Sequence, residues 1–482
     1  MPTRLILTTT TAILLVVAFF LGRQSTSWLP LDPPEHSHLT VEPPPLESNE
    51  FTVELPAEIV PFRDLFSSDV QVIGDALKKI YGTWTDSYVI MLLEVLRFSS
   101  NMEIHRQVIR LIETSVDAQL GQFDPKKWSL WVWNTDPGIH PHYAKFKAAI
   151  YSQVDESFGD YFDESPPATI RLDEIVWGGV ERDGIPPLDH PMMISADEAS
   201  YLGDDNVVFG VEIHGDARAY PKRILAHHEM VKDKVGDEEI NGVYCTLCGS
   251  MIVYQATVEG VHYELGTSGF LYRSNKLMYD HATRSLWNTL TGKPVVGPLV
   301  GKGIELQSLY TVTTTWGEWR QRHPTTQVLS LETGHIRDYA EGAAYKNYFA
   351  TDELMFPVPK SDDRLRNKAE VLVLRFADAD EAPLAISSEF LAANSIYYDE
   401  LGGISFVVLT DPSGASRVYE TQGKKFASWD QQDQVVDQEG NSWQLAEEGL
   451  LHERGDRLNR LPAHRAFWFG WYAVHPDTRL VK

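Results

Sequence analysis

Apolar residues recur at helical spacing between residues 61 and 165. The segments that show this pattern are DVQVIGDALKKI, DSYVIMLLEVLRFS, MEIHRQVIRLIETSVDAQL and HPHYAKFKAAIYSQVD. Because apolar side chains three or four positions apart share one face of a helix, each segment is predicted to be a short amphipathic helix. Two arrangements suit such helices, a small α-solenoid and a cap packed on the following region. Fewer than three clear repeats favours the cap.

The pattern changes at about residue 170 to short runs of β-prone residues. Runs such as VVFGVEI, GVYC, MIVYQATV and VHYELG alternate with glycine, aspartate and asparagine, which favour turns. Strands separated by short turns rather than by helices indicate antiparallel sheets and not a series of βαβ units. The chain is therefore predicted to be an α+β protein, with a helical N-terminal region followed by a mainly β region.

The β-prone region contains an internal repeat. WGEWRQRHPTT at residues 316–326 and WFGWYAVHPDT at residues 468–478 share Trp, Trp, His, Pro and Thr at identical spacing. Earlier matches occur in the same order, DKVG with DELG and then CTLCG with TDPSG. Chance similarity between aromatic-rich strands is the alternative, but ordered self-similarity is the accepted sign of duplication. We predict two related β-rich lobes, residues 166–360 and 361–482, packed about a pseudo-twofold axis.

The N-terminus carries an apolar run. Residues 5–22 contain no charged side chain and lie between Arg4 and Arg23. This length is near the minimum for a membrane-spanning helix and exceeds the usual core of a signal peptide. Residues 1–23 are therefore predicted to be an uncleaved anchor, with a removed signal as the alternative. The proline-rich residues 24–60 are predicted to be an extended linker. Either arrangement places the bulk of the chain outside the cytoplasm, in the periplasm or at the cell exterior.

Length and charge limit the classes of function. A chain of 482 residues exceeds one ordinary domain, and its 43% hydrophobic and 23% charged composition is that of a globular protein. The 68 acidic and 42 basic residues give a formal net charge of −26. Such a charge repels phosphate backbones, so nucleic acid is not an expected partner. The partner that the sequence does predict is the membrane, contacted through residues 1–23.

Two cysteines, Cys245 and Cys248, are the only ones in the chain, and both lie in GVYCTLCGS. In the second copy of the repeat, Thr410 and Ser413 occupy the matching positions. Features that both lobes need for folding, such as the tryptophans and the His-Pro pair, occur twice. The thiols are therefore expected to serve something that the first lobe does alone.

Four interpretations of this pair remain open. The first is a redox dithiol in which Cys245 and Cys248 are the catalytic residues. The second is a thiolate site for copper or zinc, with His228 as a third ligand that Glu229 and Asp233 orient. The others are a structural disulfide and two inert buried thiols. The following GSMIVYQATVEG predicts a turn and a strand, whereas a thioredoxin-type site would open a helix.

Polar residues are concentrated in two further segments, GDARAYPKRILAHHE and GTSGFLYRSNKLMYDHATRSLW. Arginine side chains suit an anionic ligand, although structural ion pairing is an alternative role for them. No GxSxG, HExxH, P-loop or GxGxxG motif indicates an established catalytic site. The candidate cofactor-binding residues are Arg218, Tyr220, Ser268, Arg273, Asn275 and Asp280.

Several motifs resemble those of a known family. They are IRLDEIVWGGVERDGIPPLDHP, GDARAYP, HHEMVKD, YCTLCGS, TSGFLYRSNKLMYD, YFATDELMFPVP and the two Trp-His-Pro segments. On these motifs, roughly residues 140–482 resemble the uncharacterised prokaryotic family named domain of unknown function 3179. Lys232 and Thr246 depart from it, because family members often have Asn and Pro there. The resemblance implies no activity, since none is assigned to the family.

The favoured hypothesis combines the cysteine pair with the apolar N-terminus. It is a membrane-tethered, extracytoplasmic protein whose Cys245 and Cys248 carry thiol redox chemistry or hold a copper or zinc ion. The alternative is a non-catalytic envelope module that binds a partner and keeps the pair as a structural disulfide. No motif indicates the substrate of the first or the partner of the second.

Overall fold

The computed structural model of the protein describes residues 46, 51, 53–162, 166–376 and 382–482. The predicted anchor, residues 1–23, and most of the predicted linker lie outside these residues. Within the described ranges, no helix is both long enough and apolar enough to cross a membrane.

Residues 60–162 form a helical region, as predicted. Its α-helices are Val60–Asp64 (α1), Val70–Gly82 (α2), Tyr88–Phe98 (α3), Met102–Val116 (α4), Pro125–Thr135 (α5), Tyr143–Tyr151 (α6) and Gly159–Phe162 (α7). The side chains of Asn101 and Asp124 accept hydrogen bonds from the first backbone N–H groups of α4 and α5, which fixes where these helices begin. The buried residues Ile104, Val108 and Ile112 recur every four positions, so α4 has the predicted amphipathic pattern.

The chain after residue 166 is rich in strands and forms two lobes. The strands of the first lobe are Ile175–Trp177 (β1), Leu188–Asp189 (β2), Met193–Ser195 (β3), Val207–Ile213 (β4), Asp216–Pro221 (β5), Met230–Val235 (β6), Glu238–Cys245 (β7), Ser250–Gln255 (β8), Thr257–Val258 (β9), Val261–His262 (β10), Leu265–Tyr272 (β11), Asn275–Asp280 (β12), Leu286–Asn288 (β13), Lys293–Val296 (β14), Ser308–Leu309 (β15), Val312–Thr315 (β16) and Gln327–Leu329 (β17). Its helices are Lys222–His228 (α8), Trp316–Arg322 (α9) and Lys346–Phe349 (α10).

The second lobe follows with a shorter set of elements. Its strands are Glu370–Leu374 (β18), Leu384–Ser387 (β19), Ile396–Leu401 (β20), Ile404–Thr410 (β21), Ser416–Glu420 (β22), Phe426–Trp429 (β23), Gln434–Asp437 (β24), Ser442–Ala446 (β25), Gly449–His452 (β26), Arg457–Asn459 (β27), His464–Phe467 (β28) and Arg479–Val481 (β29). Its helices are Ser388–Ala393 (α11) and Trp468–Val474 (α12).

The two lobes have the same topology. One sheet has the strand order β16-β4-β5-β17 in the first lobe and β28-β18-β19-β29 in the second. The order β8-β7-β6 matches β22-β21-β20, and β11-β12-β13-β14 matches β23-β24-β25-β26. The first lobe adds β1, β2, β3 and β15 at sheet edges, and the second adds β27. Because the strand order repeats over three sheets, the structure confirms the internal duplication and the α+β fold class.

Side chains of the repeated Trp-His-Pro segments make the same hydrogen bonds in both lobes. The indole N–H groups of Trp319 and Trp471 donate at 2.9 Å to the hydroxyls of Thr326 and Thr478. Each threonine donates in turn to a backbone carbonyl of its own lobe, at 3.0 Å in the first and 2.9 Å in the second. These buried groups satisfy each other, so this motif is part of the scaffold of each lobe.

The helical region and the first lobe share one hydrophobic core. Phe146 of α6 belongs to the same buried cluster as Phe270 and Tyr279 of the β11–β12 sheet. The Lys147 ammonium reaches from α6 to the carbonyl oxygen of Ile175 at 2.7 Å. The helices therefore form a cap on the first lobe, which is the arrangement that the weak helical repeat favours.

Candidate functional site

Residues 245–250, which we call the cysteine turn, join β7 to β8. A disulfide links Cys245 and Cys248 within this turn. Gly249 has a φ of +64°, and a Cβ at this position would lie 3.0 Å from the ring of Phe467. Glycine is therefore required by the backbone conformation and by the close approach of the second lobe. A strand follows the turn, as predicted, and not the helix of a thioredoxin-type site.

Residues 410–416, which we call the carboxylate turn, join β21 to β22 at the matching place in the second lobe. The strand pairing shows that this turn is one residue longer than the cysteine turn. The Asp411 carboxylate accepts hydrogen bonds from the backbone N–H of Ser413 at 2.9 Å and of Ala415 at 3.2 Å. Because an aspartate side chain can hold a tight turn in this way, the hairpin does not need a disulfide to form.

The disulfide is buried between the two lobes. Cys245 is 1% exposed and Cys248 is 0% exposed. Residues 345–358, which we call the covering segment, contribute Tyr348 and Phe356 to the apolar cluster around the disulfide. Helix α12 of the second lobe contributes further side chains to the same cluster. A partner molecule can therefore reach the sulfurs only if the covering segment or α12 moves.

Helix α12 approaches the disulfide closely because it contains Gly470. A Cβ at Gly470 would lie 2.8 Å from the Cβ of Cys248 and 3.1 Å from Oδ1 of Asn275. The backbone N–H of Phe467, just before α12, donates to the Cys248 carbonyl at 2.8 Å. In the first copy of the repeat, the residue that matches Gly470 is Glu318. The absence of a side chain at Gly470 thus lets α12 contact the cysteine turn.

Glu318 of α9 makes the reciprocal contact, with the carboxylate turn. It accepts a hydrogen bond from Arg417 at 3.3 Å, and Arg417 also contacts Asp411 at 3.2 Å and Glu447 at 2.8 Å. Arg417 is 1% exposed and occupies the position that Met251 has in the first lobe. The same contact between lobes is therefore ionic at the carboxylate turn and apolar at the cysteine turn.

Polar atoms lie close to the two sulfurs. The backbone N–H of Cys248 donates to Sγ of Cys245 at 3.4 Å, and Sγ of Cys248 lies 3.3 Å from the Ser250 hydroxyl. The buried Oδ1 of Asn275 and the buried hydroxyl of Thr246 have no hydrogen-bond partner among the described residues. Buried polar groups are almost always paired, so Thr246 in the turn and Asn275 beside it keep unused hydrogen-bonding capacity.

A buried ion pair connects the first lobe to the covering segment. The Lys276 ammonium is 3.1 Å from the Glu229 carboxylate, which also accepts a hydrogen bond from the Tyr345 hydroxyl at 3.3 Å. Burial lowers the pKa of Lys276. Sequence reasoning missed Lys276 and assigned Glu229 to the orientation of His228. The sequence did contain an indication of this ion pair. Lys276 lies within the strand β12, all of whose residues are buried, and a buried lysine needs a partner of opposite charge.

His228 is bound elsewhere in the first lobe. Its Nδ1 lies 2.8 Å from the carbonyl oxygen of Pro186, and its Nε2 lies 2.5 Å from the Tyr339 hydroxyl. Burial lowers its pKa to about 4, so the ring is neutral at pH 7. In the part of the chain that the structure describes, no three metal-ligating side chains lie close enough together to hold an ion. The copper or zinc site predicted from His228 and the two cysteines is therefore not seen among the described residues.

Arg218 and Tyr220 belong to a carboxylate network on β5 and β6. Arg218 donates two hydrogen bonds of 2.9 Å to Asp216 and lies 3.4 Å from Asp233. The buried Tyr220 hydroxyl donates to Asp233 at 2.8 Å. Arg218 thus has the structural ion-pairing role that was the alternative to ligand binding, and Asp233 faces Tyr220 rather than His228.

Ser268 and Asp280 contribute to the scaffold. The Ser268 hydroxyl donates to a backbone carbonyl of β12 at 2.7 Å within the β11–β12 hairpin. Asp280 accepts a hydrogen bond from the Trp287 indole at 3.1 Å, and Asp437 of the second lobe accepts one from Trp443 at 3.0 Å. A contact that occurs in both lobes serves the fold, so this hydrogen bond gives Asp280 a structural role.

Arg273 and Asn275 are the two candidate ligand residues that lie beside the cysteine turn. Arg273 forms an ion pair with Glu174 at 2.5 Å and donates to the Ala473 carbonyl of α12 at 2.8 Å. The Asn275 amide donates to the Gly470 carbonyl at 3.0 Å. Arg273 and Asn275 therefore contact α12 beside the cysteine turn, whereas Arg218 and Tyr220 contact Asp233 of β6.

The model of one family, described as protein of unknown function (DUF3179), matches residues 182–478. This match includes the cysteine turn and most of both lobes, and it covers more than half of the chain. No curated protein and no solved structure matches significantly. The chain therefore belongs to the DUF3179 family of proteins of unknown function, as its motifs indicated.

Proposed function

We propose that the protein is a thiol–disulfide redox protein that works through Cys245 and Cys248. The observation that supports this most strongly is the difference between the two matching turns. The carboxylate turn keeps its shape through hydrogen bonds to Asp411, so this place in the fold does not require a cysteine pair. A pair of thiols that the scaffold does not require is better explained by chemistry.

In this proposal Cys245 is the attacking residue and Cys248 is the resolving residue. The backbone N–H of Cys248 is directed at Sγ of Cys245, 3.4 Å away, and would stabilise a thiolate there once the pair is reduced. Cys248 lies against Gly470 of α12, where the second lobe limits access to its sulfur. The better stabilised thiolate is the one suited to begin the reaction.

The proposed cycle transfers two electrons to a disulfide substrate. The Cys245 thiolate attacks one substrate sulfur, forms a mixed disulfide and releases the other substrate sulfur as a thiolate. Cys248 loses its proton and attacks the Cys245 sulfur, which forms the internal disulfide and releases the second substrate thiolate. The substrate is thereby reduced to two thiols. A dithiol donor must then reduce the internal disulfide before the next cycle.

Access of the substrate depends on the covering segment in this proposal. The Tyr348 hydroxyl donates to the Leu247 carbonyl, inside the cysteine turn, at 2.7 Å. The Lys368 ammonium lies 3.4 Å from the centre of the Tyr348 ring and donates to the Thr351 carbonyl at 2.7 Å. Opening the segment would break these polar contacts and leave the sheets of both lobes intact.

We also propose that the protein acts outside the cytoplasm and is tethered to the membrane through residues 1–23. The apolar residues 5–22 support the tether, and the proline-rich residues 24–60 would hold the lobes away from the bilayer. A disulfide in the folded protein fits an oxidising compartment. Protease added to intact spheroplasts should digest the lobes, and the protein should stay with membranes after a carbonate wash; a protected or fully released protein would contradict this location.

The competing function is a non-catalytic envelope module in which the disulfide is structural. Complete burial of both cysteines favours this alternative. The two functions predict different reactivity of the cysteines. In a redox protein the cysteines of the folded chain exchange with an external disulfide, whereas a structural disulfide that never opens does not.

A trapping experiment separates these functions. Reduced Cys248→Ser protein, mixed with glutathione disulfide, should accumulate a glutathione adduct on Cys245, since the resolving thiol is absent. Cys245→Ser should form its adduct at least tenfold more slowly, because Cys248 lacks the stabilising N–H. Intact-mass measurement over time counts the adducts. Equal rates would contradict the assigned roles, and no adduct on either folded variant would support the structural disulfide.

A further inference from the structure

A cavity of about 120 Å³ lies between the helical region and the first lobe. Its apolar walls come from Leu96 of α3, from Val176 and Trp177 of β1, and from Phe356 of the covering segment. An apolar cavity of about 150 Å³ holds a benzene molecule, so a space of this size with an open end admits an aromatic ring or a short aliphatic chain.

The cavity opens into a wider groove along α4. This groove has a volume of about 750 Å³ and continues over Met102 and Ile109. Ser99, His105 and Phe123 line both the cavity and the groove, so the two spaces are continuous. A ligand can therefore enter from the groove while the covering segment stays closed over the cysteine turn.

The polar part of the cavity is basic. Arg97, His105 and Lys126 line it, and none of its lining residues in the described part of the chain is acidic. The whole protein has a formal net charge of −26, so this cavity is a local exception. A concave site lined by one sign of charge concentrates the opposite charge, and here that favours an anion.

Arg97 is held with its guanidinium at the cavity wall. It donates to the Ser129 hydroxyl at 2.7 Å and to the Glu94 carboxylate at 3.3 Å. The Lys147 ammonium lies 3.5 Å from the same Glu94, so two cations share one buried carboxylate. Asp173, which also acts on Lys147, is itself paired with an arginine at 2.9 Å. A guanidinium has five N–H groups, so beside its bonds to Ser129 and Glu94 Arg97 keeps donors that can bind a ligand carboxylate.

We propose that this cavity binds a small monocarboxylate with a compact apolar body, an aromatic or short-chain aliphatic acid. The carboxylate pairs with Arg97, and the apolar body packs against Leu96, Val176 and Phe356. This site is separate from the cysteine turn and does not depend on the redox function proposed above.

Isothermal titration calorimetry of the full-length protein tests the proposal. Benzoate is the anionic probe, and benzyl alcohol is a neutral probe of similar shape. Benzoate should bind at one site per chain and at least tenfold more tightly than benzyl alcohol, because only the anion forms the charge-assisted pair with Arg97.

Three variants locate the site. Arg97→Gln should weaken benzoate at least tenfold and benzyl alcohol less than twofold. Arg106→Gln, the matched control, removes an exposed arginine of the groove that pairs with Glu103, and should change benzoate affinity less than twofold. Val176→Phe should abolish binding of both probes, because the larger ring fills the cavity. Thermal melts and circular dichroism establish that each variant is folded.

Three results would overturn the proposal. They are no saturable binding of benzoate to the wild-type protein, benzyl alcohol binding as tightly as benzoate, and wild-type benzoate affinity in folded Arg97→Gln. If Arg97→Gln does not fold because Glu94 loses a partner, Val176→Phe decides, since unchanged benzoate affinity in that folded variant places the anion elsewhere.

Discussion

The cysteine turn and the carboxylate turn occupy matching places in two lobes of one topology, and they have different chemistry. At the carboxylate turn, the buried Arg417 and the Glu318 of the opposite lobe form an ionic contact. At the cysteine turn, Gly470 takes the place of Glu318 and packs on Cys248, so the contact is apolar around a disulfide. Met251, which matches Arg417, packs in the core of the first lobe. The carboxylate turn of the second lobe therefore meets the first lobe through buried charges. The cysteine turn of the first lobe meets the second lobe through an apolar cluster around a buried disulfide.

This difference shows which parts of the repeat the scaffold requires. The hydrogen bond from Trp319 to Thr326 and the one from Trp471 to Thr478 have the same length of 2.9 Å, so both lobes keep them. The two turns, in contrast, differ in length and in the groups that hold their shape. Since the second lobe forms without cysteines, the topology of a lobe does not require the pair Cys245 and Cys248.

Converting the ionic contact into the apolar one should have the largest effect on stability. Arg417→Met introduces the first-lobe residue and leaves Asp411 and Glu447 buried without their shared cation. Because removal of one partner of a buried ion pair is strongly destabilising, the free energy of unfolding should fall by about 3–5 kcal/mol. Urea unfolding followed by tryptophan fluorescence measures this. Met251→Leu, the matched control, should lower the free energy of unfolding by less than about 1.5 kcal/mol. Equal losses in both variants would show that these two matching positions do not differ in their contribution to stability.

A second test uses matching histidines and pH. His323 and His475 both lie on a tryptophan ring, with ring centres 4.0 Å and 4.3 Å apart. Burial lowers the pKa of His475 to about 4. Between pH 6.5 and 4 the unfolded chain therefore binds a proton that the folded His475 does not, so stability is lost as pH falls through this window.

The expected loss is roughly 3 kcal/mol, at about 1.4 kcal/mol for each pKa unit. His475→Gln should remove most of this loss when urea unfolding of the variant and of the wild-type protein is compared at pH 7 and pH 4.5. The burial argument would be wrong if His475→Gln and the wild-type protein lost the same free energy of unfolding between these two pH values.

Adding one methyl group at the lobe contact should have an intermediate effect. A Cβ at Gly470 would lie 2.8 Å from the Cβ of Cys248, so Gly470→Ala should lower the free energy of unfolding by about 1–3 kcal/mol through overpacking. Gly74→Ala in α2 is the control, because nothing lies within 4 Å of its Cβ and alanine favours a helix by up to about 1 kcal/mol. If both variants are neutral, α12 does not close tightly on the cysteine turn.

Removing the disulfide should have the smallest effect on stability. The double variant Cys245→Ser and Cys248→Ser should lose about 2 kcal/mol or less, because a disulfide that closes so short a loop restricts the unfolded chain little. Thermal melting of this variant beside the oxidised wild-type protein, which keeps the disulfide, measures the loss. An unfolded first lobe in the double variant would show that the cysteines are part of the scaffold after all.

More of the fold than of the candidate site could be predicted from the sequence. Helical spacing in residues 61–165 and the repeat of Trp, His, Pro and Thr are local signals, and they predicted the fold class correctly. The position of His228 depends on Pro186 and Tyr339, which are distant in sequence, so its proposed link to the cysteines could not be checked from spacing. The same holds for Gly470, whose role depends on packing between the lobes.

The redox equilibrium of the cysteine pair tests the central claim most directly. Folded full-length protein is equilibrated in thiol–disulfide buffers of known potential, alkylated, and its free thiols are counted by intact mass. We predict a midpoint between about −270 and −120 mV, the range of redox-active protein dithiols. A pair that stays oxidised in the folded protein below about −300 mV, as structural disulfides do, would contradict the claim.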